Sequence, residues 1–106
     1  MGARRILVAN EFASYRQTLA IVIREVLPHV EVFEAPSECL DGEVARLGPD
    51  LVICSRVTYT VRQRVANWVE LYPECKPCST FFIGGRCREI GDVQLSDLLD
   101  LCASPR

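Results

Sequence analysis

Two apolar runs in this chain break on side chains that can do chemistry. Ile6–Ala9 gives way to Asn10 and Glu11, and Leu51–Cys54 gives way to Ser55 and Arg56. Residues just past a buried strand stand at its carboxyl end, where open α/β sheets place their working crevice. An amide, a carboxylate and a hydroxyl brought together there could hold a small ligand. Arg56, together with a helix start at Thr60, could add donors for an anion; a solvated loop is the plainer alternative. Glu34 and Glu38 could bring further carboxylates toward Glu11, or serve as surface charge. Ser55 is a poor nucleophile without an activating base, and the one histidine, His29, follows Pro28 at the far end of the first helical segment.

The second group is cysteine. Cys75 and Cys78 form a C-x-x-C motif in "CKPC", and Cys87 and Cys102 could complete a zinc set. A thiol redox pair favours a helix N-terminus, where the dipole lowers the thiol pKa. "CKPC" instead follows a helical segment and precedes a strand. Its spacing to Cys87 and Cys102 is not that of a zinc knuckle, so two loop cysteines are expected, with redox or zinc chemistry as the alternative. Cys39, Cys54 and Cys102 sit among apolar residues, where cysteine packs as a small hydrophobe.

The elements that would position these groups follow from patterning. The chain has 106 residues, 49% hydrophobic and 25% charged, with net charge −2. That is the composition of one globular domain spanning 1–106, without the basic field that nucleic acid or an anionic membrane would need. No stretch approaches the length of a membrane span, and no export signal is expected, which implies a cytoplasmic protein with reduced thiols. Strands are predicted over 4–9, 30–34, 51–54 and 79–83. Helices are predicted over 14–27 behind a Ser14/Gln17 capping box, and over 37–47 with a Gly48-Pro49 stop. A third is predicted behind a Thr60/Gln63 capping box, with Val61, Val65, Trp68, Val69 and Tyr72 on one face. "VQLSDLLDLCA" gives a last helix. Gly84-Gly85 between 79–83 and 86–90 predicts an antiparallel edge hairpin or a loop; two glycines without a following helix are no phosphate loop. The alternation predicts an α/β, doubly wound, three-layer sandwich on a mostly parallel sheet of four to five strands.

"RRILVANEF", "PDLVICS" and the interval between them resemble the receiver domain of bacterial two-component response regulators, over roughly residues 4–83. The resemblance implies a flavodoxin-like fold and a phosphorylation pocket whose acid pair falls on Asn10 and Glu11 and whose acceptor Asp falls on Ser55. The family's switch Ser/Thr falls near Gly84 and its lysine near Gly91, while the one lysine here is Lys76. Four of five positions are altered, and magnesium wants anionic oxygens that only Glu11 supplies. The resemblance therefore implies a degenerate, shortened receiver: a regulatory module of a two-component phosphorelay setting, without Asp phosphorylation, catalytic residues or a cofactor. Its partner would be another protein. A homodimer is expected through the edge hairpin or through the face of the third helix, with Trp68, Phe81 and Phe82 as interface candidates.

Overall fold

Alternation within two short strands fixes the layers. In β1 (Arg5–Ala9), Ile6 and Val8 point to one side of the sheet and Leu7 and Ala9 to the other; in β3 (Leu51–Cys54), Leu51 and Ile53 oppose Val52 and Cys54. All eight are fully buried, so both faces must be covered. One face is covered by α1 (Ala13–Val26), through Leu19, Ala20 and Ile23, and by α4 (Leu95–Ala103), through Leu98 and Cys102. The other is covered by α2 (Leu40–Leu47), through Leu40, Val44 and Leu47, and by α3 (Tyr59–Arg64), through Val61. The structure is a computed structural model that describes residues 4–73, 76 and 78–103.

The sheet has six strands in the order β2-β1-β3-β4-β5-β6, adding β2 (Glu31–Glu34), β4 (Asn67–Glu70), β5 (Ser79–Ile83) and β6 (Arg86–Ile90). β2, β1, β3 and β4 are parallel; β4–β5 and β5–β6 are antiparallel. The α/β class and helices on both faces agree with the sequence pattern. The mostly parallel sheet of four to five strands does not: the sheet is mixed, and the extra strand is β4.

That strand corrects the third helix, which ends at Arg64 instead of running to Tyr72. Val61, Val65, Trp68, Val69 and Tyr72 fit helical spacing. But Trp68 packs on the α2/α3 face while Val69 and Leu71 pack on the α1/α4 face, the period-two alternation of a strand. Tertiary pairing decides the matter. A strand here satisfies the open edge of β3 on one side and β5 on the other, and tryptophan and valine favour that environment. The start of α3 also moves. Thr58 is the N-cap, its Oγ1 accepting the Val61 N–H at 3.2 Å, so the Thr60/Gln63 box does not form. At α1 the N-cap is Phe12 and no side chain caps the helix, so the Ser14/Gln17 box is absent too.

Other punctuation holds. Gly48 ends α2 in the left-handed region at φ +57, its N–H reaching Val44 O at 3.0 Å. Gly84 and Gly85, at φ +60 and +81, make the two-residue turn between β5 and β6. No helix among the described residues is long and apolar enough to cross a membrane.

Candidate functional site

The register that aligns Ala9 with Cys54 makes Asn10 and Ser55 neighbours, each the first residue beyond its strand. The contact is direct: Ser55 Oγ accepts the Glu11 N–H at 2.8 Å. β4 supplies the third wall. Leu71 N–H donates to Cys54 O at 2.8 Å, and the Glu70 carboxylate accepts the Val57 N–H at 2.8 Å, so the loop after β3 is pinned to the end of β4. Asn10, Glu11, Phe12, Tyr15, Ser55, Leu71 and Tyr72 together line a crevice of about 350 Å³.

Two features of this crevice carry a free-energy cost. Asn10 is only 3% exposed, and its Oδ1 has no hydrogen-bond partner among the described residues. Leaving a buried acceptor unpaired costs about 1–3 kcal/mol. Tyr72 adopts φ +45, a left-handed conformation that costs a non-glycine residue about 1–2 kcal/mol. It is held there from both ends. Its backbone N–H donates to the buried Ser79 Oγ at 2.9 Å, and its hydroxyl accepts the Val93 N–H at 3.2 Å and donates to Val93 O at 3.3 Å. Burial pushes the neighbouring Tyr15 hydroxyl above its ordinary pKa, with Tyr72 adding to the shift. Strain of this kind persists where surrounding contacts over-determine it, and it clusters at functional sites.

The charged groups sort onto separate sides. Arg16 lies behind the crevice, donating to Asn10 O at 3.1 Å and pairing with Glu34 at 3.5 Å. Glu34 is thereby engaged and does not face Glu11's crevice. A second hollow of about 420 Å³, on the other side of Ser55, is lined by Glu11, Ser37, Glu38, Ser55, Arg56 and Thr58. Arg56 and Glu38 thus share a hollow with Glu11, whereas Asn10 is not among its lining residues. Thr58 rather than Thr60 lines that hollow, its Oγ1 donating to Asp41 at 2.6 Å.

Gly84 does not join the crevice. β5 runs antiparallel to β4, so the turn lies at the opposite end of the sheet, where Asn67 Oδ1 accepts the Gly84 N–H at 3.0 Å. The residues that follow the fourth strand are Leu71 and Tyr72, which sequence reasoning missed because it read this segment as helix.

The three interface candidates lie at different depths. Trp68 is 3% exposed and Phe81 is buried on the opposite face, so both belong to the core. Phe82, half-buried, stacks on Trp68 with ring centroids 5.3 Å apart, and the Arg62 guanidinium covers the indole at 5.2 Å. His29 is exposed in the turn after α1.

The described cysteines of the zinc set do not converge. Cys75 lies outside the described residues. Cys87 is exposed and in register with Phe82, on the α2/α3 side, whereas Cys102 is buried under α4 on the other side. Cys78 is exposed. Among the described residues no three His, Cys, Asp or Glu side chains are grouped to hold a metal ion. Burial pushes the Cys54 thiol up to about 12, with Glu70 adding to it, and the Cys102 thiol up to about 11. Both therefore stay protonated and unreactive at neutral pH. No protein-family model, curated protein or solved structure matches this chain.

Proposed function

We propose that this chain is a receiver-like regulatory module with a flavodoxin-like, doubly wound core, acting by protein–protein interaction and without phosphorylation of an Asp. The observation that carries the reading is the Ser55 Oγ to Glu11 N–H bond. The residue in the acceptor's place works as a brace between the ends of β1 and β3. Its surroundings support the same reading. Asn10 and Ser55 offer neutral oxygens where magnesium would need anionic ones. The one histidine, His29, is exposed in the turn after α1, at the other end of that helix from the crevice, so no imidazole activates Ser55. The position after β4, where the family carries its switch hydroxyl, is the buried Leu71. On this reading the protein is not an enzyme. It works in the cytoplasm of a bacterial cell as a homodimer whose face is rebuilt around the β5–β6 hairpin.

The test is an NMR titration of the full chain with magnesium and then beryllofluoride, a mimic of an acyl phosphate. The amides of Glu11, Ser55 and Leu71 should stay in place. Saturable shifts at these three residues would show a working acceptor pocket and overturn the reading. Light scattering on the same sample reads the oligomeric state; a monomer at all concentrations would remove the homodimer.

A further inference from the structure

We propose that the crevice at the ends of β1, β3 and β4 binds a small organic cation: an amine or amidine carried on a compact apolar body. Such a site does not depend on whether the domain is a regulatory module. Asn10 lines the crevice, and its buried Oδ1 has no hydrogen-bond partner among the described residues. The terminal torsion of an asparagine is broad, so the carboxamide can turn that oxygen toward an entering N–H donor. Such a donor supplies the hydrogen bond the empty crevice leaves unmade.

The sign of the ligand follows from the lining. Glu11 contributes a carboxylate, and neither Arg nor Lys is among the lining residues. Arg16 is turned to the backbone of Asn10 and to Glu34, and Arg56 lines the hollow on the far side of Ser55. An anion would meet repulsion there and a cation would not. An amidinium can give a carboxylate two parallel N–H bonds. Phe12, Tyr15 and Tyr72 supply aromatic rings that favour a desolvated cation, and Leu71 completes an apolar wall. Phe12, 62% exposed, and Tyr15 leave their rings accessible to an entering molecule. The volume, about 350 Å³, falls within the range of small-molecule sites. The over-determined Tyr72 holds one wall rigid before anything binds.

The experiment is an NMR titration of the full chain with three probes of one shape: benzamidine, neutral benzamide and anionic benzoate. Benzamidine should give saturable shifts at Asn10, Glu11, Ser55 and Tyr72, benzamide should bind about tenfold more weakly, and benzoate should not bind. Asn10→Leu removes the acceptor and should abolish benzamidine binding while leaving the thermal midpoint equal or higher, because an unpaired buried polar group is gone. Glu11→Gln alters only an exposed side chain and should weaken binding about tenfold; it decides the case should Asn10→Leu fail to fold. Absence of saturable shifts with benzamidine overturns the proposal. So does benzoate binding as tightly as benzamidine, or unchanged affinity in both variants.

Discussion

Thr58→Val separates the two possible starts of α3. Thr58 Oγ1 accepts the Val61 N–H at 3.2 Å and donates to the Asp41 carboxylate at 2.6 Å, so one hydroxyl both caps α3 and ties it to α2. Valine keeps the shape and suits the extended backbone at φ −101, ψ 169. The substitution therefore removes hydrogen bonds and little else. Loss of the cap costs about 1 kcal/mol. Loss of the bond to Asp41, which is exposed and solvated, adds about 0.5 kcal/mol. The total of about 1.5 kcal/mol corresponds to a fall of about 6 °C in thermal midpoint for a domain of this size. Thr60→Val is the internal control, because Thr60 lies inside the helix and should change stability by less than about 0.5 kcal/mol. Urea unfolding of both variants, followed by the fluorescence of Trp68, gives the comparison. A double-mutant cycle with Asp41→Asn isolates the tie to α2. A larger loss for Thr60→Val than for Thr58→Val would refute the assigned start of α3.

Two further outcomes follow from buried thiols and from the hairpin turn. Cys54 and Cys102, raised from 9 to about 12 and about 11, should make the fold weaker as pH rises above 9. Unfolded thiols ionise there while folded ones do not, so each removes about 1.4 kcal/mol per pH unit until its folded pKa is reached. A Cys54→Ala, Cys102→Ala double variant should lose that extra slope; an unchanged urea-midpoint profile from pH 8 to 10 would contradict the burial argument. Gly85→Ala should destabilise the turn by about 1 kcal/mol. The cause is backbone conformation at φ +81, because an added Cβ meets nothing within 4 Å. Faster hydrogen exchange at Arg86 and Arg88 reads the effect, and unchanged exchange would remove the argument.

Much of the fold is legible in the sequence because local signals and burial agree. Ile6–Ala9 and Leu51–Cys54 are apolar on both faces, which requires central strands with helices on either side. Gly48 and the Gly84-Gly85 pair stand where a left-handed backbone is needed, and no other residue type serves as well. Residues 65–72 are illegible for a physical reason. Their apolar positions satisfy the helical period as well as the strand period, and only the open edge of β3 chooses between them. That one ambiguity moves Gly84 to the crevice on paper and hides Leu71 and Tyr72, which form its wall. Asn10, Glu11 and Ser55 are found because each follows directly on a strand whose end is unambiguous. The orphaned oxygen of Asn10 and the strained backbone of Tyr72 are properties of three-dimensional neighbours, and no spacing rule reports them.

The mixed sheet also divides the domain by how its strands find one another. β1 and β3 pair across more than 40 intervening residues, as Ile6 with Leu51, and such distant closures are slow. β5 and β6 close through two glycines, the kind of event completed in microseconds. β6 pairs on one side only, and its residues are mostly exposed. The hairpin should therefore open and close many times during one lifetime of the parallel core, as a separate cooperative unit of low stability. Its outer edge, like that of β2 at the far side of the sheet, is paired by no described strand, so an incoming strand that adds at β6 meets the less stable of the two edges.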